Sequence, residues 1–475
     1  MVFSSLVFLC IFLPAVFLLY SAIPNLKVRN GLLIVASLVF YAYGEPVYVL
    51  LMLFSSVLNY LCARFVRAGR HGRSRTALVI AVAVNLGILA AFKYTGFFVS
   101  SLNSVFSLSI PVPQIALPVG ISFFTFQALS YVIDVYRGDV AVQKNYFNVL
   151  LYISFFPQLI AGPIVKYHDI AQQIENRSQD IDKIARGLRR FICGLAKKVL
   201  IANTMGQTAD VIFSADPGAL ALPTAWLGAI AYLFQIYYDF SGYSDMAIGL
   251  GLMFGFTFKE NFMYPYGSVG IKDFWRRWHI SLSTWFKEYL YIPLGGNRKG
   301  KARTYLNKMI VFLCTGLWHG ANWTFVLWGI YHGLFLLFED TVPIVKKLPR
   351  FLVRIYTLLV VTVGFVLFRA DTISQGFCVI GKMFAGFDFS DGALSMALSQ
   401  LTPWFLAVLV AAIIGCAPIR PIADRIRANI CGAAALSGRW KAVQIVLYVM
   451  AFALLFWCIV RLAATSYNPF IYFRF

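Results

Sequence analysis

Apolar residues collect in long runs near 2–20, 31–43, 47–62, 77–93, 118–136, 146–163, 187–204, 222–256, 309–338, 352–368, 400–416 and 442–463, separated by shorter polar stretches. A helix needs about twenty apolar residues to cross a ~30 Å hydrocarbon core. The pattern therefore predicts an all-α, polytopic membrane protein folded as one domain over 1–475. Several runs are too short or too long for a regular span, so ten to twelve transmembrane or re-entrant helices are expected. One re-entrant element is expected at FFPQLIAGPI, where Pro157, Gly162 and Pro163 interrupt the helix. Backbone broken at membrane depth has to be covered by protein or line a cavity.

The run at 309–338, MIVFLCTGLWHGANWTFVLWGIYHGLFLLF, has no Asp, Glu, Lys or Arg but holds two of the five histidines, His319 and His332. At about 1.5 Å per residue one straight helix would overshoot the hydrocarbon core. The run must be tilted, broken or folded back, and Gly316 and Gly320, around Trp318–His319, are the weak points. An ionisable side chain is costly at this depth and is by default a functional hypothesis. A neutral imidazole can take the proton of an attacking hydroxyl, which makes His319 a candidate general base. A plain hydrogen bond to a neighbouring helix explains it equally well. Asn322 lies one turn beyond and, if the helix continues, would orient the ring or a carbonyl. His332 falls on roughly the opposite helix face and reads as packing unless the helix breaks between the two. His71 and His168, in polar stretches, read as solvated.

Composition agrees with a membrane setting: 60% hydrophobic and 13% charged residues, with mean hydropathy +0.74. The formal charge of +21 reports topology rather than nucleic acid, because Lys and Arg collect at the cytoplasmic ends of membrane helices. Lys27 and Arg29 follow the first run, and Arg64, Arg67, Arg70, Arg73 and Arg75 follow the third. These loops, with 164–200, 259–308 and 417–441, are assigned to the cytoplasm, which puts the N-terminus outside. The uncharged stretch 94–117 suits an outward loop. The first apolar run lacks a basic leader and reads as a retained helix rather than a cleaved signal. The eight cysteines have no metal-ligand spacing.

The segment 273–289, DFWRRWHISLSTWFKEY, has apolar positions at 275, 278, 282, 285–286 and 289. That spacing predicts an amphipathic helix in the cytoplasmic interface, its tryptophans at headgroup depth. On this pattern alone His279 is a bystander. Residues 295–301 fit GxxxxGK, but Ala302 stands where a Ser or Thr would bind magnesium and no buried strand precedes the loop. A glycine turn is expected instead. Neither HExxH nor GxSxG occurs, and a triad dispersed along the chain stays open.

MVFSSLVFL at the start, ALPVGISFFTFQALSYVIDVYRG at 116–138, FFPQLIAGPIVKY at 155–167 and YYDFSGYSDMAIGLGLMFGF at 237–256 form one set of strings. DFWRRWHISLSTWFKEYLYIPLGGNRKG at 273–300, TGLWHGANWTFVLWGIYHG at 315–333 and the terminal NPFIYFRF complete it. Together they resemble membrane-bound O-acyltransferases, in particular bacterial members that O-acetylate exported polysaccharides such as alginate. The resemblance implies a ring of tilted helices around a thinned centre with a tunnel between the faces. It implies that His319 is the catalytic histidine and that His279, in RWHIS, is a second site position on the cytoplasmic side. Asn322 and Asp273 are carried as supporting residues. Asp239, Ser241, Tyr243 and Asp245 lie in resembling strings, and helix–helix hydrogen bonding accounts for them at least as well.

The resemblance further implies transfer of an acyl group, acetyl above all, from a cytoplasmic thioester to a hydroxyl outside. The donor would be acetyl-CoA or an acyl carrier protein, with no permanently bound cofactor and no metal. The acceptor would be the polysaccharide itself or an extracytoplasmic acyltransferase partner, with the chain in a bacterial inner membrane. The rival class is a transporter or channel for polysaccharide or acyl groups without chemistry of its own. Many transporters show broken helices at matching positions of two halves, and no such repeat is visible here. A scaffold for a secretion complex is a third reading.

Overall fold

The computed structural model describes residues 1–66, 73–342, 344–418 and 438–471, and all regular secondary structure among them is helical. His71, Arg67, Arg70, most of the basic segment 417–441 and the last four residues of NPFIYFRF lie outside the described residues. Around the site the elements are α1 (Arg73–Phe106), α2 (Ile121–Arg137), α3 (Ile181–Ala196) and α4 (Leu222–Met253). They continue with α5 (Ile271–Arg277), α6 (Ile280–Phe286), α7 (Gly300–His319), α8 (Trp323–Thr341) and α9 (Arg350–Arg369).

Tyr48–Phe65, Ser74–Phe106, Arg350–Arg369 and Ala442–Ala464 are each long and apolar enough to cross a membrane. The pair Asp391–Gln400 and Pro403–Gly415, bent by 68°, makes a fifth candidate. The protein is therefore a multi-pass, all-helical membrane protein. The other apolar runs of the sequence form elements that are short, broken or sheathed in protein. Residues 155–167 show this: a four-residue helix, Phe156–Leu159, then irregular backbone, every residue of it buried. That is where broken backbone at membrane depth is tolerated.

The long helix α4 lies at the centre and is buried along most of its length, including the polar string Tyr237–Ser244. It approaches α3 through glycines. Gly187 faces Gly249 and Gly194 faces Gly242, both pairs spaced by seven residues on antiparallel helices. A Cβ on Gly194 would stand 2.5 Å from the Gly242 carbonyl oxygen. Lipid offers no hydrophobic drive for two helices to associate, so such backbone-to-backbone packing is what holds them.

The uncharged run at 309–338 folds back on itself. Helix α7 ends at His319 and α8 starts at Trp323, and the two pack antiparallel through small residues. A Cβ on Gly316 would meet the Phe325 carbonyl at 2.3 Å, and one on Gly329 would meet that of Phe312 at 2.4 Å.

The segment 273–289 departs from expectation. It is two short helices, α5 and α6, followed by a π-turn at Lys287–Tyr291, and the break falls at Trp278–His279. His279 adopts a left-handed backbone, φ +44°. Trp275, Trp278 and Trp285 are buried in protein. Trp285 stacks on Phe126 of α2 with ring centroids 3.7 Å apart and donates its indole N–H to the Phe126 carbonyl. Three-to-four spacing reveals which face is apolar, not whether lipid or protein covers it. Residues 295–300 form a glycine turn, with Gly295, Gly296 and Gly300 all at positive φ.

Candidate active site

A helix leaves its last four carbonyls without an intrahelical partner. Helix α7 ends in this way at His319, and two residues of α1 meet the open end. Tyr94 Oη donates to the Leu317 carbonyl at 2.7 Å. Lys93 Nζ donates to the Trp318 carbonyl at 2.5 Å and to that of His319 at 3.3 Å. Lys93 sits at the end of an apolar run, and its presence in the site was not foreseen from sequence. The available signal was a lone lysine two-thirds of the way along a 34-residue helix whose other charged residues lie only in its first turn.

The His319 imidazole is 7% exposed. It meets the rings of Trp318, Trp328 and Phe368 at centroid distances of 5.0, 5.2 and 5.1 Å. One side opens on a cavity of about 180 Å³ lined by Lys93, Leu117–Phe123, Ile160 and Trp318. On another side lies a void of about 10 Å³ walled by Ile236, Phe240, Trp278, Trp328, Phe365, Phe368 and Ile471.

The structure brings His279 to His319: the ring centroids are 6.4 Å apart. The break in 273–289 is what allows this, because it turns the His279 ring inward between Phe240 and Trp318. A neighbouring stretch satisfies the backbone at the break. Met263 N–H donates to the Arg277 carbonyl at 2.9 Å, and Ile280 N–H to that of Asn261 at 3.0 Å. The fully buried Asn261, which sequence reasoning did not single out, orients the ring. Its Oδ1 accepts from Ser281 N–H and Oγ–H at 3.1 and 2.9 Å and lies 3.3 Å from His279 Nδ1. An oxygen at that place assigns the proton to Nδ1 and leaves Nε2 as the accepting nitrogen.

The other expected residues lie elsewhere. Helix α7 does not continue to Asn322, which instead caps α8. Its Oδ1 accepts from Thr324 N–H at 3.0 Å and its amide donates to the Asp371 carbonyl at 3.0 Å. Asn322→Ala is expected to cost about 1 kcal/mol of stability, read as a lower unfolding temperature in detergent, with transfer nearly unchanged. Asp273 braces the start of α5, accepting from Val269 N–H and pairing with Arg277 at 2.9 Å.

The chain does break between His319 and His332, yet Trp328 separates the two rings. His332 is fully buried and packs against Gly364 of α9, where a Cβ would come to 2.7 Å from its Nε2. His168 is not simply solvated: Nδ1 lies 2.9 Å from Asp134, which also accepts from Tyr289 Oη at 2.6 Å.

A third cavity, of about 220 Å³, opens farther toward the start of α7. Trp275, Phe286, Phe312 and Leu336 form its apolar walls, and Lys272, Arg276, Lys287 and Lys308 line it as well. Lys272 and Lys308 both pair with Asp340, whereas Arg276 and Lys287 are exposed. Its innermost residue on α7, Thr315, is one helical turn short of His319. The basic groove and the His319 cavity thus open at successive levels along one helix.

In a chain of this composition, a buried imidazole pair with a cavity on one side and a basic groove one turn back along α7 suits group transfer inside a membrane. Comparison with known proteins gives the class. The family described as "MBOAT, membrane-bound O-acyltransferase family" matches residues 140–370, a stretch that includes both site histidines. The chain belongs to this family and is a membrane-bound acyltransferase.

Among curated relatives, it is 42% identical over 502 residues to a "Probable alginate O-acetylase AlgI" of Pseudomonas putida, covering 100% of both chains. It is 36% identical over 421 residues to a "Peptidoglycan O-acetyltransferase" of Helicobacter pylori, covering 81% of this chain and 80% of that one. A "Teichoic acid D-alanyltransferase" of Streptococcus thermophilus is 30% identical over 237 residues, 47% of this chain and 56% of that one.

Proposed function

We propose that the protein passes an acetyl group from a cytoplasmic thioester through the membrane to a hydroxyl of an exported polysaccharide, or to a partner that completes the transfer. The observation that carries this reading is His319 itself. It stands at a helix end on a cavity whose one charged residue is Lys93, and a groove lined by basic residues opens one turn back along the same helix. Excess Lys and Arg mark the cytoplasmic side, so the groove would face the cytoplasm of a bacterial inner membrane. Its cations and apolar walls suit the phosphates and acyl arm of acetyl-CoA or of a carrier protein's pantetheine. The cavity lined by 117–123 would face outward, the N-terminus with it.

In the reaction, the acceptor hydroxyl attacks the thioester carbonyl carbon while His319 removes its proton. The tetrahedral intermediate collapses, the C–S bond breaks, and the thiolate leaves to take up a proton. His279 stands next to His319, and its neutral accepting nitrogen suits the donor side of the centre. Asn322 caps α8, and its amide is engaged by the Asp371 carbonyl.

The test is reconstitution in vesicles with acetyl-labelled thioester on the basic face and oligosaccharide on the other. Covalently acetylated sugar, or an acetylated partner protein, is the expected product, and supplying acetyl-CoA or acetylated carrier identifies the donor. Movement of label or sugar without a new ester bond would instead establish the transporter reading.

A further inference from the structure

Lys93 and Tyr94 are adjacent on α1, and together they close the end of α7. Of the four carbonyls that a helix leaves open at its C-terminus, Gly316 O takes the Gly320 N–H at 3.4 Å. The remaining three, on Leu317, Trp318 and His319, are met by Tyr94 Oη and Lys93 Nζ. The same ammonium lies 3.5 Å from Ser122 Oγ on α2. It therefore ties three walls of the His319 cavity to one point. Two forces favour the arrangement. A carbonyl left unpaired in an apolar setting is costly, and a cation is stabilised by the negative end of a helix. A lysine is otherwise expensive in an apolar helix, so its place here requires such a partner.

We infer that Lys93, assisted by Tyr94, is a positioning residue for transfer: it fixes the last turn of α7 and so holds the His319 imidazole at a set depth in the cavity. The inference rests on the reading of His319 as the base. It goes beyond that reading because it assigns the placement of the base to a different helix. With its protons engaged by Trp318, His319 and Ser122, the ammonium acts through the backbone of α7. Misplacing a reacting group by about 1 Å costs on the order of 100-fold in rate.

The test compares Lys93→Met, Lys93→Arg, Tyr94→Phe and His319→Ala in the reconstituted full-length protein, each checked for membrane yield and thermal unfolding. Lys93→Met is expected to lower kcat about 100-fold, with the KM for the thioester unchanged, since Lys93 is not among the residues that line the groove. Lys93→Arg, which keeps the charge and the donors, is expected to restore most of the rate. Tyr94→Phe, which loses one neutral bond, should cost less than Lys93→Met.

If Lys93→Met does not accumulate, Lys93→Gln keeps an N–H donor without the charge and is read the same way. A Met or Gln variant with the parent kcat overturns the inference. So does a folded Arg variant no better than Met, or a rise in KM with kcat unchanged. Full activity in His319→Ala would overturn the underlying reading of the base instead, and this outcome is distinct from the others.

Discussion

His319→Ala is expected to lower acyl transfer by about 10²–10⁴-fold, the usual contribution of a positioned general base, while the protein still reaches the membrane folded. The packing makes these two expectations separable. The ring is one of four that interlock, with Trp318, Trp328 and Phe368 each about 5 Å away. Its loss leaves those three in contact with partners of their own: Trp318 with Phe123, Trp328 with Trp275, and Phe368 with Phe325. His319→Gln sharpens the comparison. It nearly restores the volume and supplies hydrogen-bonding atoms, but an amide cannot take a proton from the acceptor. Equal loss in the Ala and Gln variants, measured as ester formed per folded protein, identifies proton removal as what is missing. Recovery in Gln would instead make His319 a steric or hydrogen-bonding residue, and the base would have to be sought elsewhere.

How much of this was legible in the sequence depended on how local the cause was. That the run at 309–338 is tilted, broken or folded back could be read because length, glycines and missing charges all act within thirty residues, and the structure resolves it as a foldback. The membrane class followed from the same run, which made His319 a candidate only on a par with plain packing, and the resembling strings favoured it and added His279. What could not be read was the break that turns His279 inward. No glycine or proline marks Trp278–His279, and the open backbone groups around it are met by Asn261 and Met263, fourteen or more residues earlier.

Lys93 was hidden for a related reason. Hydropathy treats a lysine as the edge of a span, whereas its partners are the carbonyls of a helix end more than 220 residues away. The burial of Trp275, Trp278 and Trp285 shows the general limit. Lipid and protein are both apolar, so a greasy face does not announce which of them it meets. The supporting role given to Asn322 depended on α7 continuing past His319, and the two glycines around that residue already argued against it.

The second large effect is expected at Asp239, deep in α4. Asp239 and Lys198 form an ion pair at 2.8 Å with side chains only 2% and 3% exposed. Removing one partner of a buried pair strands the other charge and typically costs about 3–5 kcal/mol. Asp239→Ala should therefore lower the unfolding temperature sharply, because it leaves the Lys198 ammonium without its counter-charge. Replacing both with apolar residues of similar volume, Asp239→Leu with Lys198→Met, should recover much of that stability, since the cost of desolvating both charges disappears as well.

Function need not recover with it. Asp239 Oδ2 also accepts from Ile471 N–H at 2.8 Å, Lys198 Nζ donates to the Pro469 carbonyl, and Asn468 bonds Ser4 and Asn203. The pair thus anchors the C-terminal stretch whose Ile471 walls the small void beside His319. A double variant that is stable but slow in transfer would show that the ion pair is kept for the tail it holds against the site. A double variant as active as the parent would show that Ile471 stays in place through its apolar contacts alone.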